Sequence, residues 1–342
     1  MNSKLALPIV LLLGILSPSI GAQSKVMVSG AAAVGGKTVA CYWLDGARSV
    51  LPVPKGTTRS EATGIAFGGG HTYISGTAWL NEKATPCLWI DGVQSELPIG
   101  PTKKPSRGGN ATSVTVESEN WVIGGFWTND STTLPCYWMN GVRHDLESPG
   151  SKNSLGTILI GVLLKNGRVY SYGFFYEKGF AKACYWIDDE FHNGPANGAR
   201  ESAILGLSVQ NDGVVLVGKV RLDKKTEGFL WNVGKLEILP MSTSANGVFF
   251  QDGQTWILGF SSDNRACFWL NGKYIPLPGN VTTDQGFEAR SFARLGDHLL
   301  VAGARSWDQG YSREAIVWDN QEYKSLDSKG RYATALSVEG EK

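Results

Sequence analysis

The stretch Ala40-Cys41-Tyr42-Trp43-Leu44-Asp45-Gly46 returns six times along the chain, as Pro86-Cys87-Leu88-Trp89-Ile90-Asp91-Gly92 and then around Trp138, Trp186, Trp231, Trp269 and Trp318. Successive tryptophans are separated by 46, 49, 48, 45, 38 and 49 residues. A period of this length holds four short strands, and like units that touch only their neighbours bury one continuous core between them. The pattern therefore predicts an all-β protein: a seven-bladed β-propeller of four-stranded antiparallel blades, forming a single domain over residues 23–342.

Each unit divides into strands a to d, counted outward from the axis. In the second unit these fall at Ala62–Phe67, Thr72–Gly76, Thr85–Ile90 and Val93–Leu97. In the fourth they fall at Ile158–Leu164, Val169–Gly173 and Ala183–Ile187, with a degenerate fourth strand near Phe191. The Gly that ends strand b precedes the Trp of strand c by thirteen residues in five units. Such constancy sets register, because a slip of one residue turns every inward side chain outward.

Asn166-Gly167, Asp212-Gly213 and Asp252-Gly253 mark a-to-b hairpins, while Asp45-Gly46, Asp91-Gly92, Asn140-Gly141 and Asn271-Gly272 mark c-to-d hairpins. Both sets belong to one tightly trimmed face, which leaves longer b-to-c and d-to-a loops for the opposite face. The first unit begins with a strand b, Lys25–Gly30. Its missing inner strand is found at Tyr332–Val338, which resembles Glu61–Phe67, so the last strand is expected to join the first blade and close the ring.

Composition narrows the function class. With 32 Lys and Arg against 31 Asp and Glu, the net charge is +1, which lacks the basic excess that a nucleic-acid partner requires. Residues 1–22 carry Lys4, the apolar run Leu5–Leu16 and small residues ending at Ala22, the pattern of a secretory signal peptide. The run is too short to span a bilayer, so a secreted or periplasmic location is expected. The five cysteines all stand two residues before the repeat Trp, where the other units carry Phe229 and Ile316. That column is apolar core, so five free buried thiols are expected, with no disulfide and no metal site.

Units of the form x-Cys/Phe-x-Trp-x-Asp/Asn-Gly followed by Leu-Pro resemble the extracellular HAF-type repeats, whose core reads His-Ala-Phe-Leu-Trp-x-Asn-Gly. Gly228-Phe229-Leu230-Trp231 comes nearest, although the His is missing and Cys mostly replaces the Phe. The resemblance implies an exported β-propeller and carries no activity.

No catalytic signature is present: there is no Gly-x-Ser-x-Gly elbow, P-loop or zinc-binding His pair. Two constellations remain. Trp79, Trp127, Phe175, Tyr176, Trp307 and Tyr311 fall just beyond strand b, where exposed rings would stack on sugars or grip a protein. The alternative is that they pack between blades. The residues preceding the strand-a Ala are Glu61, Asn110, Ser202, Ser244, Glu288 and Tyr332, with Leu155 for the fourth unit; they are expected to ring the channel mouth. Circular closure sets Glu288, Tyr332 and Glu61 on consecutive blades. Two carboxylates beside a phenol would bind a cation or act as general acid and base on a glycosidic bond; otherwise they form ion pairs with Arg59, Arg200, Arg290 or Arg331. The leading expectation is a monomeric, cofactor-free binding or adhesion module for a glycan or exported protein. A glycan-cleaving enzyme and a self-assembling scaffold are the alternatives.

Overall fold

The computed structural model describes residues 25–100, 108–129, 132–149, 155–195, 198–211, 213–279, 286–307, 312–320, 322–327 and 329–339. The expected leader at 1–22 and Tyr311 lie outside them. Among the described residues there is no α-helix, and hence none long and apolar enough to cross a membrane. Twenty-eight strands form seven four-stranded antiparallel blades. A single parallel bridge, Ala84 to Gly108, joins the second and third blades. Blade 2 shows the plan: Arg59–Gly68, His71–Leu80, Lys83–Ile90 and Val93–Glu96. The inner strands of blades 3 to 7 are Gly108–Glu117, Thr157–Lys165, Glu201–Gln210, Ser242–Gln251 and Gly286–Leu295.

Blade 1 is closed by the chain's end. Gly330–Glu339 pairs antiparallel with Lys25–Val34, so the N-terminal strand has no free inner edge. Its outer strands are Lys37–Leu44 and Ala47–Val50.

Every inner strand carries a β-bulge at the same place. The unpaired residues are Thr63, Thr112, Ile160, Leu205, Asn246, Arg290 and Thr334. Beside each bulge, strand b presents the glycine of the repeat: Gly30, Gly76, Gly125, Gly173, Gly218, Gly259 or Gly303. A Cβ there would run into a strand-a carbonyl oxygen, that of Glu61 at Gly76 and of Asn110 at Gly125. The bulge brings one backbone against the other, and only glycine leaves room. Two bulge threonines reach the next blade: Thr334 Oγ1 donates to Ala62 O at 2.7 Å and Thr63 Oγ1 to Ala111 O at 2.9 Å.

The core consists of seven apolar layers, one in each junction between blades. Six of the repeat tryptophans are fully buried in them. Their indole N–H groups reach back to the preceding blade: Trp89 to Pro52 O at 2.7 Å, Trp138 to Pro98 O at 2.8 Å, Trp269 to Pro240 O at 2.9 Å and Trp318 to Pro278 O at 2.9 Å. Trp186 uses Glu147 O at 3.2 Å. The Leu-Pro after strand d thus has two tasks. Its Leu N–H extends the ladder to strand c, as Leu97 does to Pro86 O, and its Pro carbonyl holds the next blade.

The five cysteines are buried and free. Burial pushes the thiol of Cys41 up to about 12 and that of Cys87 up to about 11; Cys136, Cys184 and Cys267 are raised by the same cause.

On the lower face the turns cap one another. The side chain of the c-to-d turn residue accepts the N–H that opens or follows the start of strand b, as Asp91 Oδ1 does from Thr72 N at 2.9 Å and Asn140 Oδ1 from Trp121 N at 3.0 Å. His71 and His298 pair there with Asp91 and Asp319.

The upper face differs from the sequence expectation. The b-to-c connections of blades 1, 2, 4 and 5 are two-residue turns, because strands b and c run on past the glycine, as His71–Leu80 and Lys83–Ile90 do in blade 2. The longer connections are those from strand d to the next strand a. The fourth strand of blade 4 is also regular, Glu190–Asn193.

Candidate functional site

Extending strand b decides where the aromatic residues point. In a ten-residue strand alternate side chains face opposite sides, and the eighth and ninth positions separate four of the rings. Trp127 and Phe175 occupy the eighth. Trp127 is 5% exposed, fills the layer between blades 2 and 3 and directs its indole N–H to Asp145 Oδ1 at 3.4 Å. Phe175 is 7% exposed in the layer between blades 3 and 4. Neither offers a face to a ligand, which corrects the expectation of surface rings there. Trp79 and Tyr176, at the ninth position, and Trp307, at the tenth, are half-buried at the upper rim.

Register against the strand-b glycines corrects the mouth ring as well. Leu159 faces Gly173 and Ile204 faces Gly218, as Ala62 faces Gly76. The counterparts of Glu61 in blades 4 and 5 are therefore Ile158 and Ala203, not Leu155 and Ser202. Ser202 is buried, its hydroxyl accepting from Ala183 N at 3.0 Å, and Leu155 lies outside the strand.

The three chemically active residues expected on consecutive blades do meet, through arginines. Glu61, Tyr332 and Glu288 are each the third residue of an inner strand, in blades 2, 1 and 7. The Tyr332 hydroxyl donates to the Glu61 carboxylate; burial, and then this carboxylate, push the phenol well above its ordinary range, so it stays a neutral donor. Arg290 lies over the Tyr332 ring, 4.9 Å from its centroid. Its Nη2 and Nε reach Glu288 Oε2 at 2.6 and 3.1 Å. Arg313 Nη1 stands 3.6 Å from the other oxygen, Oε1. At the opposite end Arg59 stacks on Trp79, 3.9 Å from the ring centroid.

The result is one row along the inner upper edge: Trp79, Arg59, Glu61, Tyr332, Arg290, Glu288 and Arg313. Donors and acceptors are interspersed along it, and the positive charge that follows the phenol is Arg290. Local structure explains why Arg290 is there: it is the bulge residue of blade 7, and a bulge re-aims its side chain. Arg313 was not singled out from the sequence; its register opposite Ser306 on strand b was the available signal. Among the described residues no group of three or more His, Cys, Asp or Glu side chains is placed to hold a metal ion.

No family model matches the chain, and no curated protein does. Among solved structures it is similar to the Dos1 propeller, at 11% identity and TM-score 0.43, covering 86% of this chain and 83% of that one. It is also similar to the Trypanosoma rangeli sialidase, at 9% identity and TM-score 0.42 over 86% of this chain and 67% of that one. A third similarity is to the Bombyx mori β-fructofuranosidase, at 10% identity and TM-score 0.35 over 81% and 85%. At these values the likenesses carry no activity, ligand or partner to this chain.

Proposed function

We propose that the chain is an exported, monomeric, non-enzymatic module that binds a glycan with the inner upper edge of blades 7, 1 and 2. One observation supports this reading above the others: the row from Trp79 to Arg313 offers an indole with a stacked guanidinium, then interspersed donors and acceptors, all at least partly exposed. A hydroxyl-dense ligand matches such a row, because each sugar hydroxyl both donates and accepts and each ring presents an apolar face.

The alternative, glycoside cleavage by Glu61 and Glu288, meets two obstacles in the same geometry. Both oxygens of Glu288 face guanidinium groups, and Glu61 already accepts from Tyr332. Such pairing favours carboxyls held as hydrogen-bond acceptors over carboxyls that cycle a proton.

A glycan array probed with the chain lacking residues 1–22 tests the reading, followed by calorimetry on the best ligand with Arg290→Gln and Trp79→Ala. The expected result is a ligand whose affinity falls about tenfold or more in both variants, a size suited to losing a charge-assisted contact or a stacking face. An empty array, or a ligand indifferent to both changes, would overturn it. Release of reducing ends from that ligand would favour the enzyme.

A further inference from the structure

The junction between blades 4 and 5 departs from its neighbours. Its repeat tryptophan, Trp231, is half-buried where the other six are fully buried, and among the described residues it makes no indole bond to the preceding blade. A cavity of about 360 Å³ opens at the upper edge of this junction. Phe174, Tyr176 and Phe180 line it from blade 4, and Glu201, Lys219 and Arg221 from blade 5. It lies on different blades from the row at the ring's mouth.

The lining combines three chemistries. Phe174 and Tyr176 pack edge to face at 5.5 Å, which makes a rigid aromatic wall. Arg221 Nη1 reaches Glu201 Oε1 at 3.2 Å, while Arg221 Nε is buried with no hydrogen-bond partner among the described residues. A buried guanidinium N–H left unpaired is costly in a folded protein and marks a place where an acceptor is expected. Lys219 is exposed and adds a second cation. The wall accepts an apolar ring face, the cations accept an anion, and the Glu201 carboxylate accepts hydroxyl donors.

We propose that this cavity binds a carboxylated monosaccharide unit, a uronic acid residue of a polysaccharide. Of the simple ligand classes, it presents all three complements together: a carboxylate for Lys219 and Arg221, hydroxyls for Glu201 and a C–H face for Tyr176. A neutral sugar would leave the charge of Lys219 unmatched. A phosphate would lack the apolar face that Phe174 and Tyr176 complement. The volume suits one or two sugar rings, at the lower end of the usual range for ligand pockets.

Calorimetry with a glucuronate-containing trisaccharide tests this, set against the same trisaccharide with its carboxylate reduced to the alcohol. The chain lacking residues 1–22 is compared with Lys219→Gln, Tyr176→Ala and the mouth variant Arg290→Gln. Lys219 is exposed, so its variant folds; circular dichroism and the melting temperature check the other two. The expected result is binding of the acidic trisaccharide at least about tenfold tighter than its reduced form, weakened by Lys219→Gln and Tyr176→Ala and by added salt. No binding, equal binding of the two sugars, or a loss confined to Arg290→Gln would overturn the proposal. The last outcome would move the acidic sugar to the ring's mouth, so failure here is distinguishable from failure of the site proposed there.

Discussion

Trp43 donates its indole N–H to Asp327 Oδ2 at 2.7 Å, at the one junction the chain must close after all the others. Five other junctions use a backbone carbonyl for this bond. A carboxylate at the closing junction does more than a carbonyl: its other oxygen takes Arg48 Nη1 at 3.0 Å and Lys329 N at 2.6 Å. It therefore ties blade 7 to the outer strands of blade 1 and to the turn that begins the returning strand. Asp327→Ala is expected to lower unfolding stability by about 1–3 kcal/mol, since a buried indole N–H loses its acceptor. Asp327→Asn keeps an acceptor for the indole and gives up the bonds from Arg48 and Lys329 N, for a smaller loss of about 1 kcal/mol. Urea unfolding of both variants measures the difference; equal losses would show that the pairing with Arg48, and not the indole bond, holds the seam.

Glycine has two different meanings in this chain, and substitution separates them. At Gly76 a Cβ would collide with the Glu61 carbonyl oxygen and come within 2.8 Å of the Trp89 ring. Gly76→Ala is expected to cost about 3 kcal/mol or more, because backbone and a buried indole must both move. At Gly92, with φ of +80°, nothing lies within 4 Å of the added atom. Gly92→Ala is expected to cost about 1 kcal/mol, through φ alone. Thermal melts of the pair provide the comparison.

That contrast also indicates how far the sequence could be read. The Trp and Gly columns recur in every unit and Leu-Pro in four of the seven, so blade number, ring closure and the buried cysteines were legible from repetition alone. The end of strand b was not. Taking Gly76 as its last residue hid four further positions, and with them the alternation that buries Trp127 and leaves Trp79 at the rim. Alignment on alanine failed where Leu159 and Ile204 take its place. The contacts among Glu61, Tyr332, Arg290 and Glu288 depend on rotamers at the bulge of blade 7 and on closure of the ring, and no periodicity encodes these.

Thiol titration probes the cysteine column. Burial raises all five thiols and closes them to reagents, and nucleophilic attack requires the thiolate. A thiol-specific chromophoric reagent is expected to find essentially no reactive group in the native protein at pH 8. In denaturant without reductant it is expected to find all five. Fewer than five in denaturant would reveal a disulfide, against the free cysteines found here.

Acid sensitivity on the lower face has a source that joins two blades. The Glu117 carboxylate, in blade 3, accepts Asn166 N and Gly167 N of blade 4, each at 2.8 Å. These N–H bonds, that from Gly167 first, hold it below the ordinary glutamate value of 4.5. A depressed folded-state pKa means that the unfolded chain binds the proton more readily, so the contribution is present above 4.5 and is lost as pH falls through the folded value. Glu117→Gln removes this titration and one acceptor oxygen. The variant is expected to be less stable than the parent at pH 7, with the gap narrowing as pH falls below about 4.5. Urea midpoints across that window measure it. A gap that stayed constant or widened towards acid would mean that the carboxylate's charge does not join blade 3 to blade 4.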